Sequence, residues 1–173
     1  IMEDGMHLQL APYADPVVHY TTPSQAVNRI EVIKGAGQIL YGPQTLGGAV
    51  NFVTKPVPRN GEVEGSVTSA FGNQGYRMLN GSVGFGNEIG GGMFDFNQNK
   101  GDGVYDDAEF DVKDYRFKGE LDITDRQTLA LKLVHTRDRR NSTEAYLTPF
   151  EYDQDPYSHP SIENDEWEQD RDV

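Results

Sequence analysis

Three polar side chains of different chemistry stand close together in the sequence: Tyr41, Gln44 and Thr45. A phenol, an amide and a hydroxyl each offer a hydrogen bond, and each needs a fixed position to select a ligand. A short loop that holds all three at its tip would suit a polar ligand. We interpret this stretch as a candidate binding loop.

The residues around the candidate loop have the composition of two strands joined by a glycine-bounded turn. Residues 29–34 are rich in β-branched side chains, which favour strands, and residues 50–54 resume the same pattern. Gly42 begins a Gly-Pro turn, while Gly47 and Gly48 allow the backbone to approach a neighbouring segment closely. The sequence thus predicts that two strands present the loop as an apex.

The same region carries neither a nucleotide signature nor a metal signature. Residues 35–40 begin like a dinucleotide-binding fingerprint, but the sixth position is Leu40 and no long amphipathic helix follows. The histidines are scattered without a pair at i,i+4 and without a companion cysteine, so no dedicated metal site is predicted. They are His7, His19, His135 and His159.

The sequence also lacks the residue patterns of common hydrolases. No Gly-x-Ser-x-Gly elbow is present. Glu62 and Glu64 could be imagined as glycosidase carboxylates, but acids two apart on one strand face are more simply wall residues. Asp106 and Asp107 lie near glycines but lack the spacing of a calcium-binding loop. We therefore predict that the protein is not an enzyme.

Composition excludes further classes of protein. The chain has 173 residues with 28 acidic and 15 basic side chains, a formal charge of -13, and no cysteine. This net charge disfavours nucleic acid as a partner, and the lack of cysteine excludes disulfides and thiolate chemistry. No apolar run approaches the roughly 18 residues that a transmembrane helix needs. Because the chain begins at Ile1 and carries no signal segment, we expect a piece of a longer protein.

Alternation with period two dominates residues 62–136 and predicts β-strands. In residues 115–123 the odd positions are Tyr, Phe, Gly, Leu and Ile, whereas the even positions are all charged. Such a strand separates an apolar environment from water. Five strands are predicted, at residues 62–71, 76–86, 92–99, 110–123 and 127–136.

The connections between these strands alternate in length. Turns at residues 87–91 and 124–126 would lie on one rim, and the connections at 72–75, 100–109 and 137–173 would lie on the other. Short turns on one rim and lengthening loops on the other are typical of an outer-membrane β-barrel. A soluble antiparallel sandwich has the same alternation, so periodicity alone leaves both architectures open.

A resemblance to a known family favours the barrel. From Arg29 to Lys55 the sequence contains R-I-E-V-I-K-G, then Y-G-P-Q, then G-G-A-V-N-F-V-T-K. This stretch closely resembles the last part of the plug domain of TonB-dependent outer-membrane receptors. The residues Glu3-Asp4-Gly5 resemble the Asp-Gly hairpin of that family. The Tyr-Gly-Pro-Gln turn is most similar to the ferric dicitrate receptor branch.

The resemblance implies an α+β plug domain followed by the first strands of an antiparallel transmembrane β-barrel, as a fragment of a 22-stranded barrel. The C-terminal part of the plug would cover residues 1–58, ending in a proline-bearing linker at 55–58, and the barrel strands would cover residues 59–173. Residues 137–173 are predicted to form a long acidic extracellular loop, because acidic, proline-containing segments bury little apolar surface.

The resemblance also implies a function, the import of a ferric siderophore or ferric citrate across the outer membrane of a Gram-negative bacterium. It places ligand contacts at Tyr41, Gln44, Thr45 and Tyr13. It gives Gly42, Gly47 and Gly48 a conformational role in the plug turn. Iron would arrive as a chelate, so neither a cofactor nor a protein-bound metal is expected. TonB would bind a segment upstream of Ile1, and outer-membrane lipid and lipopolysaccharide would surround the barrel.

Charged residues predict two further contacts. Lys34 and Lys55, at the ends of plug strands, would form ion pairs with barrel carboxylates. The candidate carboxylates are Glu62, Glu64, Glu120 and Asp122. Arg137, Arg139 and Arg140 follow the fifth strand and form either a patch that faces ligand or lipopolysaccharide, or the solvated base of a loop.

The principal alternative to a receptor is a soluble extracellular β-sandwich that serves as an adhesin or glycan-binding module. Such a module would fold alone in water, whereas a barrel segment would leave an open-edged sheet that needs further strands. The motif at residues 29–55 favours the receptor.

Overall fold

The computed structural model describes residues 1–8, 22–35, 47–104, 108–142, 147–158 and 165–172. The chain divides into two compact units, Ile1–Pro56 and Val57–Val173. This division falls inside the proline-bearing segment at residues 55–58. The interpretation of the units as plug and barrel wall stays a prediction.

The described part of the first unit contains a four-stranded sheet with the strand order β2-β1-β4-β3. Its strands are β1 (Met2–Glu3), β2 (Met6–His7), β3 (Val27–Lys34) and β4 (Gly48–Thr54). β1 runs parallel to β4, whereas β1 with β2 and β3 with β4 are antiparallel. The two strands predicted around the candidate loop are therefore confirmed as the directly paired β3 and β4.

A tight turn joins β1 to β2 at Asp4 and Gly5, whose φ angles are 49° and 81°. Two successive positive φ angles are required by a two-residue type I′ hairpin turn, for which Asp-Gly is a favoured sequence. The Asp-Gly hairpin is thus confirmed. The α part of the predicted α+β plug is not seen, because the described residues of this unit contain only one helical piece, a 3-10 turn at Ser24–Ala26.

The second unit contains a six-stranded antiparallel sheet whose strands follow one another in sequence order. The strands are β5 (Val63–Phe71), β6 (Arg77–Gly86), β7 (Gly90–Gly101), β8 (Phe110–Thr124), β9 (Gln127–Ser142) and β10 (Asp165–Asp172). All five predicted strands are confirmed. Because β5 and β10 are the two edges of the sheet, the described residues do not close it into a barrel.

The prediction of one continuous loop over residues 137–173 is wrong in two places. β9 extends to Ser142, and residues 165–172 form β10, which pairs with β9. The alternation disappears from the sequence after Thr136 because both faces of the strand become polar there, while the backbone ladder continues. A short helix α1 (Pro149–Gln154) lies between the two strands. None of the helices in the described ranges is long and apolar enough to cross a membrane.

Tight turns and longer connections alternate between the two ends of the second sheet, as predicted. The turns at residues 87–89 and 125–126 join β6 to β7 and β8 to β9, and they define what we call the turn end. Asn87 closes the first of them, because its side-chain oxygen accepts two backbone hydrogen bonds of 3.0 Å. The opposite end carries the connections at 102–109 and 143–164, and we call it the loop end.

On the second sheet many large apolar side chains are exposed, whereas four charged residues are buried, namely Asp95, Asp114, Arg116 and Asp138. On one side, which we call the apolar face, the residues Val67, Phe94 and Leu133 are 79%, 43% and 53% exposed. On the other side, the polar face, Asp114 and Arg116 are only 1% and 4% exposed. A water-soluble sheet shows the opposite arrangement, so the apolar face is suited to a non-aqueous surrounding.

Pro58 lies against a strip of glycines on the polar face near the turn end. A Cβ atom at Gly86 would overlap the carbonyl oxygen of Pro58, and Cβ atoms at Gly84 and Gly91 would come within 2.8 Å and 2.7 Å of atoms of Pro58. Only glycine leaves room for another segment of backbone at such a distance. The strip therefore fixes the beginning of the second unit against its own sheet.

We predict that Gly86→Ala lowers the free energy of unfolding by about 1–3 kcal/mol, since overpacking a close contact forces the backbone to shift. The matched control is Gly81→Ala on the same strand, where an added Cβ meets no atom within 4 Å. Denaturant unfolding of the purified protein measures both. Equal losses in the two variants would mean that the Pro58 contact is not the cause.

Candidate functional site

The base of the candidate binding loop is a hairpin closed by glycines in the first unit. Lys34 pairs with Gly48 in the β3–β4 register, and the amide of Gly35 donates a hydrogen bond of 3.2 Å to the carbonyl oxygen of Gly47. Gly48 has a φ angle of 152°, and a Cβ there would overlap the carbonyl oxygen of Ile33. Gly35 and Gly47, at the end of this sheet, therefore lie side by side.

The proposed ligand contacts themselves lie outside the described residues. They are Tyr13, Tyr41, Gln44 and Thr45, and the same holds for Gly42 of the plug turn. The structure thus gives the geometry of the loop base, while the assignments at its tip stay predictions.

A polar network, not foreseen from the sequence, connects the β1–β2 turn to β4. The carboxylate of Asp4 accepts hydrogen bonds from the amide and the hydroxyl of Thr54, each 2.8 Å long. The amide of Gly5 donates to Oδ1 of Asn51 at 2.9 Å. Asp4, Gly5 and Asn51 of the Asp-Gly and Val-Asn-Phe motifs therefore meet in space, 46 or more residues apart in sequence.

The network continues from β4 to β3 through Glu31. Nδ2 of Asn51 donates to the carboxylate of Glu31 at 3.0 Å, and Nε of Arg29 donates to the other carboxylate oxygen at 3.0 Å. The hydrogen bond from Asn51 and then that from Arg29 hold the pKa of Glu31 below its ordinary value. Glu31 therefore stays ionised at neutral pH and holds the two strands together through Asn51.

A row of four polar residues crosses the polar face of the second sheet. Direct cross-strand partners connect Asn80 to Asn97, Asn97 to Asp114, and Asp114 to Thr136. Asp114 accepts a hydrogen bond of 2.7 Å from the hydroxyl of Thr136 and forms an ion pair with Arg116. The Asp114 end of the row is therefore held by a hydrogen bond and an ion pair.

Asn97 differs from its neighbours in this row. Its side chain is 2% exposed, and neither its amide nitrogen nor its amide oxygen has a hydrogen-bond partner among the described residues. An amide buried without partners costs free energy. Asn97 therefore carries a buried amide whose hydrogen-bonding capacity is unused among the described residues.

Arg59 forms an ionic clamp at the turn end of the polar face. Its guanidinium donates to Asp122 and to Glu120, both at 2.7 Å. The hydrogen bond to Glu120 and then that to Asp122 raise the pKa of Arg59. Thr128 adds a hydrogen bond of 2.6 Å to Asp122. The sequence analysis did not predict this clamp. The available signal was a pair of acids two residues apart, Glu120 and Asp122, together with an arginine directly after the linker at residues 55–58.

The clamp involves two of the carboxylates that were predicted to form ion pairs with Lys34 and Lys55. Glu120 and Asp122, two of the four candidate carboxylates, already have Arg59 as a partner within their own unit. The other two candidates, Glu62 and Glu64, are exposed. The pairing of the two lysines with carboxylates of the second unit stays a prediction.

The predicted cluster of Arg137, Arg139 and Arg140 divides between the two faces. Arg140 has the parity of the polar face and forms an ion pair with Asp138. Arg137 and Arg139 have the parity of the apolar face, as shown by their direct partners Lys113 and Asp111. A single patch made of all three side chains is therefore excluded by the alternation of the strand.

Part of the chain is similar in sequence to a transporter and to a receptor. It is 39% identical over 61 residues to the vitamin B12 transporter BtuB of Photobacterium profundum, covering 35% of this chain and 10% of that protein. It is 30% identical over 88 residues to the probable TonB-dependent siderophore receptor PiuA of Acinetobacter baumannii, covering 49% and 12%. The chain thus spans about a tenth of the length of these curated relatives. No family profile matches it.

Solved structures share the fold. The pyoverdine outer membrane receptor FpvA of Pseudomonas aeruginosa, bound to pyoverdine, has a TM-score of 0.60 at 20% identity, with 67% of this chain and 17% of that one covered. The FpvAI–pyocin S2 complex gives 0.66 at 18% identity, covering 81% and 18%. The copper transporter OprC gives 0.56 at 19% identity, covering 67% and 19%.

These partial relatives support one class of protein, the TonB-dependent receptors of the Gram-negative outer membrane. These relatives and structural neighbours are described as transporters and receptors. The similarity to the fold of these receptors agrees with the antiparallel wall and the open sheet of this chain.

We predict that Arg59→Gln lowers the free energy of unfolding, because it leaves Glu120 and Asp122 side by side without their shared cation. The control is Arg29→Gln, which breaks an exposed ion pair and should have a smaller effect. The loss in Arg59→Gln should shrink below pH about 4, where carboxylates become neutral. A loss that does not change with pH would contradict the ionic role of the clamp.

Proposed function

We propose that this chain is part of a TonB-dependent receptor that imports a ferric siderophore or ferric citrate through the outer membrane. The observation that carries this proposal is the inverted second sheet, with exposed apolar side chains on one face and buried charged side chains on the other. Outer-membrane barrels need this pattern, since lipid lies outside and water or ligand lies inside. The partial sequence relatives add independent support.

The ligand site is proposed at the apex of the plug. Tyr41, Gln44, Thr45 and Tyr13 would donate and accept hydrogen bonds with the oxygen-rich surface of a chelate. The paired strands β3 and β4 would hold this apex from below, with Gly48 allowing the close approach to Ile33. Iron is then cargo that arrives inside its chelate. Ferric citrate is our choice among chelates because of the Tyr-Gly-Pro-Gln turn.

Transport requires two partners in this proposal. A TonB complex would engage a segment upstream of the chain and pull on the plug after the chelate has bound. Outer-membrane lipid would cover the apolar face, and lipopolysaccharide would meet the loop end. The polar face would line the route of the chelate.

A soluble adhesin or glycan-binding sandwich is less well supported. Such a domain would cover its apolar face with a second sheet. On β5 the side chains of Val63, Val67 and Phe71 are 77–79% exposed. Exposure of this extent favours a lipid-facing wall over one half of a soluble sandwich.

The ligand assignment predicts that Gln44→Ala in the receptor weakens the binding of ferric citrate by about tenfold. Loss of the amide leaves a desolvated polar group of the ligand without a hydrogen bond, which costs about 1–3 kcal/mol. Equilibrium binding of ferric citrate labelled with radioactive iron measures this change. Gln127→Ala, at the exposed turn end, is the matched control. Unchanged affinity in Gln44→Ala would remove Gln44 from the site.

If the apolar face lies in the membrane, Leu131→Arg should lower the free energy of unfolding of the inserted protein by about 2–4 kcal/mol. Gln127→Arg, near the turn end, should lower it by only about 0–1 kcal/mol, because the cost of a cation falls with distance from the bilayer midplane. Leu131 is 53% exposed on the apolar face of β9. Unfolding from lipid bilayers measures both variants. If Leu131→Arg leaves the protein fully soluble and equally stable in water, the wall does not face lipid.

A further inference from the structure

Residues 57–62 form the segment through which the chain enters the second sheet, and we call them the strap. Asn60 and Gly61 have φ angles of 58° and 81°, and the amide of Glu62 donates a hydrogen bond of 3.0 Å to the carbonyl oxygen of Arg59. Two successive positive φ angles are required by a type I′ turn, which reverses the chain. The strap therefore turns back on itself directly before β5 begins.

The strap crosses the polar face instead of ending at the edge of the sheet. Pro58 lies in a trough where Gly84, Gly86 and Gly91 of β6 and β7 leave room for it. The guanidinium of Arg59 reaches farther, to the two carboxylates on β8. With the strand order β5-β6-β7-β8, this path covers three strand spacings, or about 14 Å. The segment that leads into the edge strand is thus held by the three strands beyond it.

Backbone hydrogen bonds hold the other half of the strap to the end of β6. The carbonyl oxygen of Gly86 accepts a hydrogen bond of 2.9 Å from the amide of Gly61, and the amide of Gly86 donates one of 3.1 Å to the carbonyl oxygen of Glu62. The amide of Asn60 donates to the carbonyl oxygen of Asn87 at 3.4 Å. The strap is therefore held by three kinds of contact: a closely packed proline, an ionic clamp and paired backbone.

β5 is the strand of the second sheet that lies nearest to the strap along the chain. It is one edge of the sheet that the structure describes, and its side chains Val63, Val67 and Phe71 are 77–79% exposed. These side chains therefore add little packing to the backbone ladder with β6. A pull that travels along the chain from the first unit reaches Pro58 and Arg59 before it reaches β5. The contacts of the strap must break before the ladder of β5 is loaded.

We propose that the strap is a mechanical stop, which keeps β5 in the sheet when the first unit is pulled. This inference rests on the proposed function, because a pull on the first unit arises in the proposed receptor, where the TonB complex acts upstream of the chain. Arg59 makes two charge-assisted hydrogen bonds, and the three side chains are only 29–34% exposed, so these ion pairs are stronger than pairs on an open surface. Withdrawal of Arg59 also leaves Glu120 and Asp122 as neighbouring like charges.

The test pulls the whole receptor in a lipid bilayer by single-molecule force spectroscopy, with the handle on a cysteine introduced by Met6→Cys. Met6 is exposed, and the chain has no cysteine of its own. With no further change, the extension should stop at Pro58, after a released length of about 180 Å at about 3.5 Å per residue. The double variant Arg59→Gln with Gly86→Ala should move the stop to the start of β6, at about 250 Å, because β5 is then pulled out as well.

The matched control is Arg126→Gln with Gly81→Ala. It removes an exposed cation from the turn end and adds a Cβ on β6 where no atom lies within 4 Å, so the stop should stay at about 180 Å. If the double variant with Gly86→Ala does not fold, the single variant Arg59→Gln decides, because its stop at Pro58 should break at a lower force than that of the control. An unchanged stop in length and force after loss of Arg59 would overturn the proposal, and so would a parent protein that extends directly to about 250 Å.

The instrument supplies the pull in this experiment, so neither a TonB complex nor a chelate is needed. Ferric citrate binding is measured separately on the same receptor. If the receptor binds no ferric chelate but the stop lies at Pro58, the transport proposal fails and the mechanical stop stands. If the receptor binds ferric citrate and β5 is pulled out without a stop, the strap proposal alone fails.

Discussion

The strands of the second sheet alternate exposed apolar side chains with buried polar ones. This alternation is the constraint that fixes the strand register of the second unit. Directly paired residues share a face, so a shift of one residue in any strand would move its apolar side chains to the polar face. The pairing from β5 to β9 runs with one irregularity, between Asp122 and Thr124 at the turn end. The backbone ladder therefore decides which side chains lie on the apolar face and which charges lie on the polar face.

The turn end is where this register begins, and three local contacts hold it there. Pro58 occupies space that exists only because Gly84, Gly86 and Gly91 lack side chains. Arg59, the next residue, binds two carboxylates of β8 across the sheet. Pro58 and Arg59 therefore hold the beginning of the second unit to its own sheet.

The strands could be predicted from the sequence because period two survives wherever one face meets an apolar surrounding, as in residues 115–123. β10 and the end of β9 could not, since their residues are polar on both faces and only backbone pairing reveals them. The Asp-Gly hairpin was predictable from local chemistry, but its contacts from Asp4 to Thr54 and from Gly5 to Asn51 depend on folding over long sequence separations. The loop base agrees with the sequence pattern, while the tip at Tyr41 and Gln44 lies outside the described residues.

Charged side chains are arranged differently on the two faces of the second sheet. On the polar face, Asp114 pairs with Arg116 and Asp138 pairs with Arg140, so neighbouring charges cancel within the same strand. Cancellation at short range leaves a weak net field over this part of the polar face. At the loop end of the apolar face, cations instead stand opposite cations. The two faces of the second sheet therefore differ in how they place charge, with opposite charges side by side on the polar face and like charges opposed at the loop end of the apolar face.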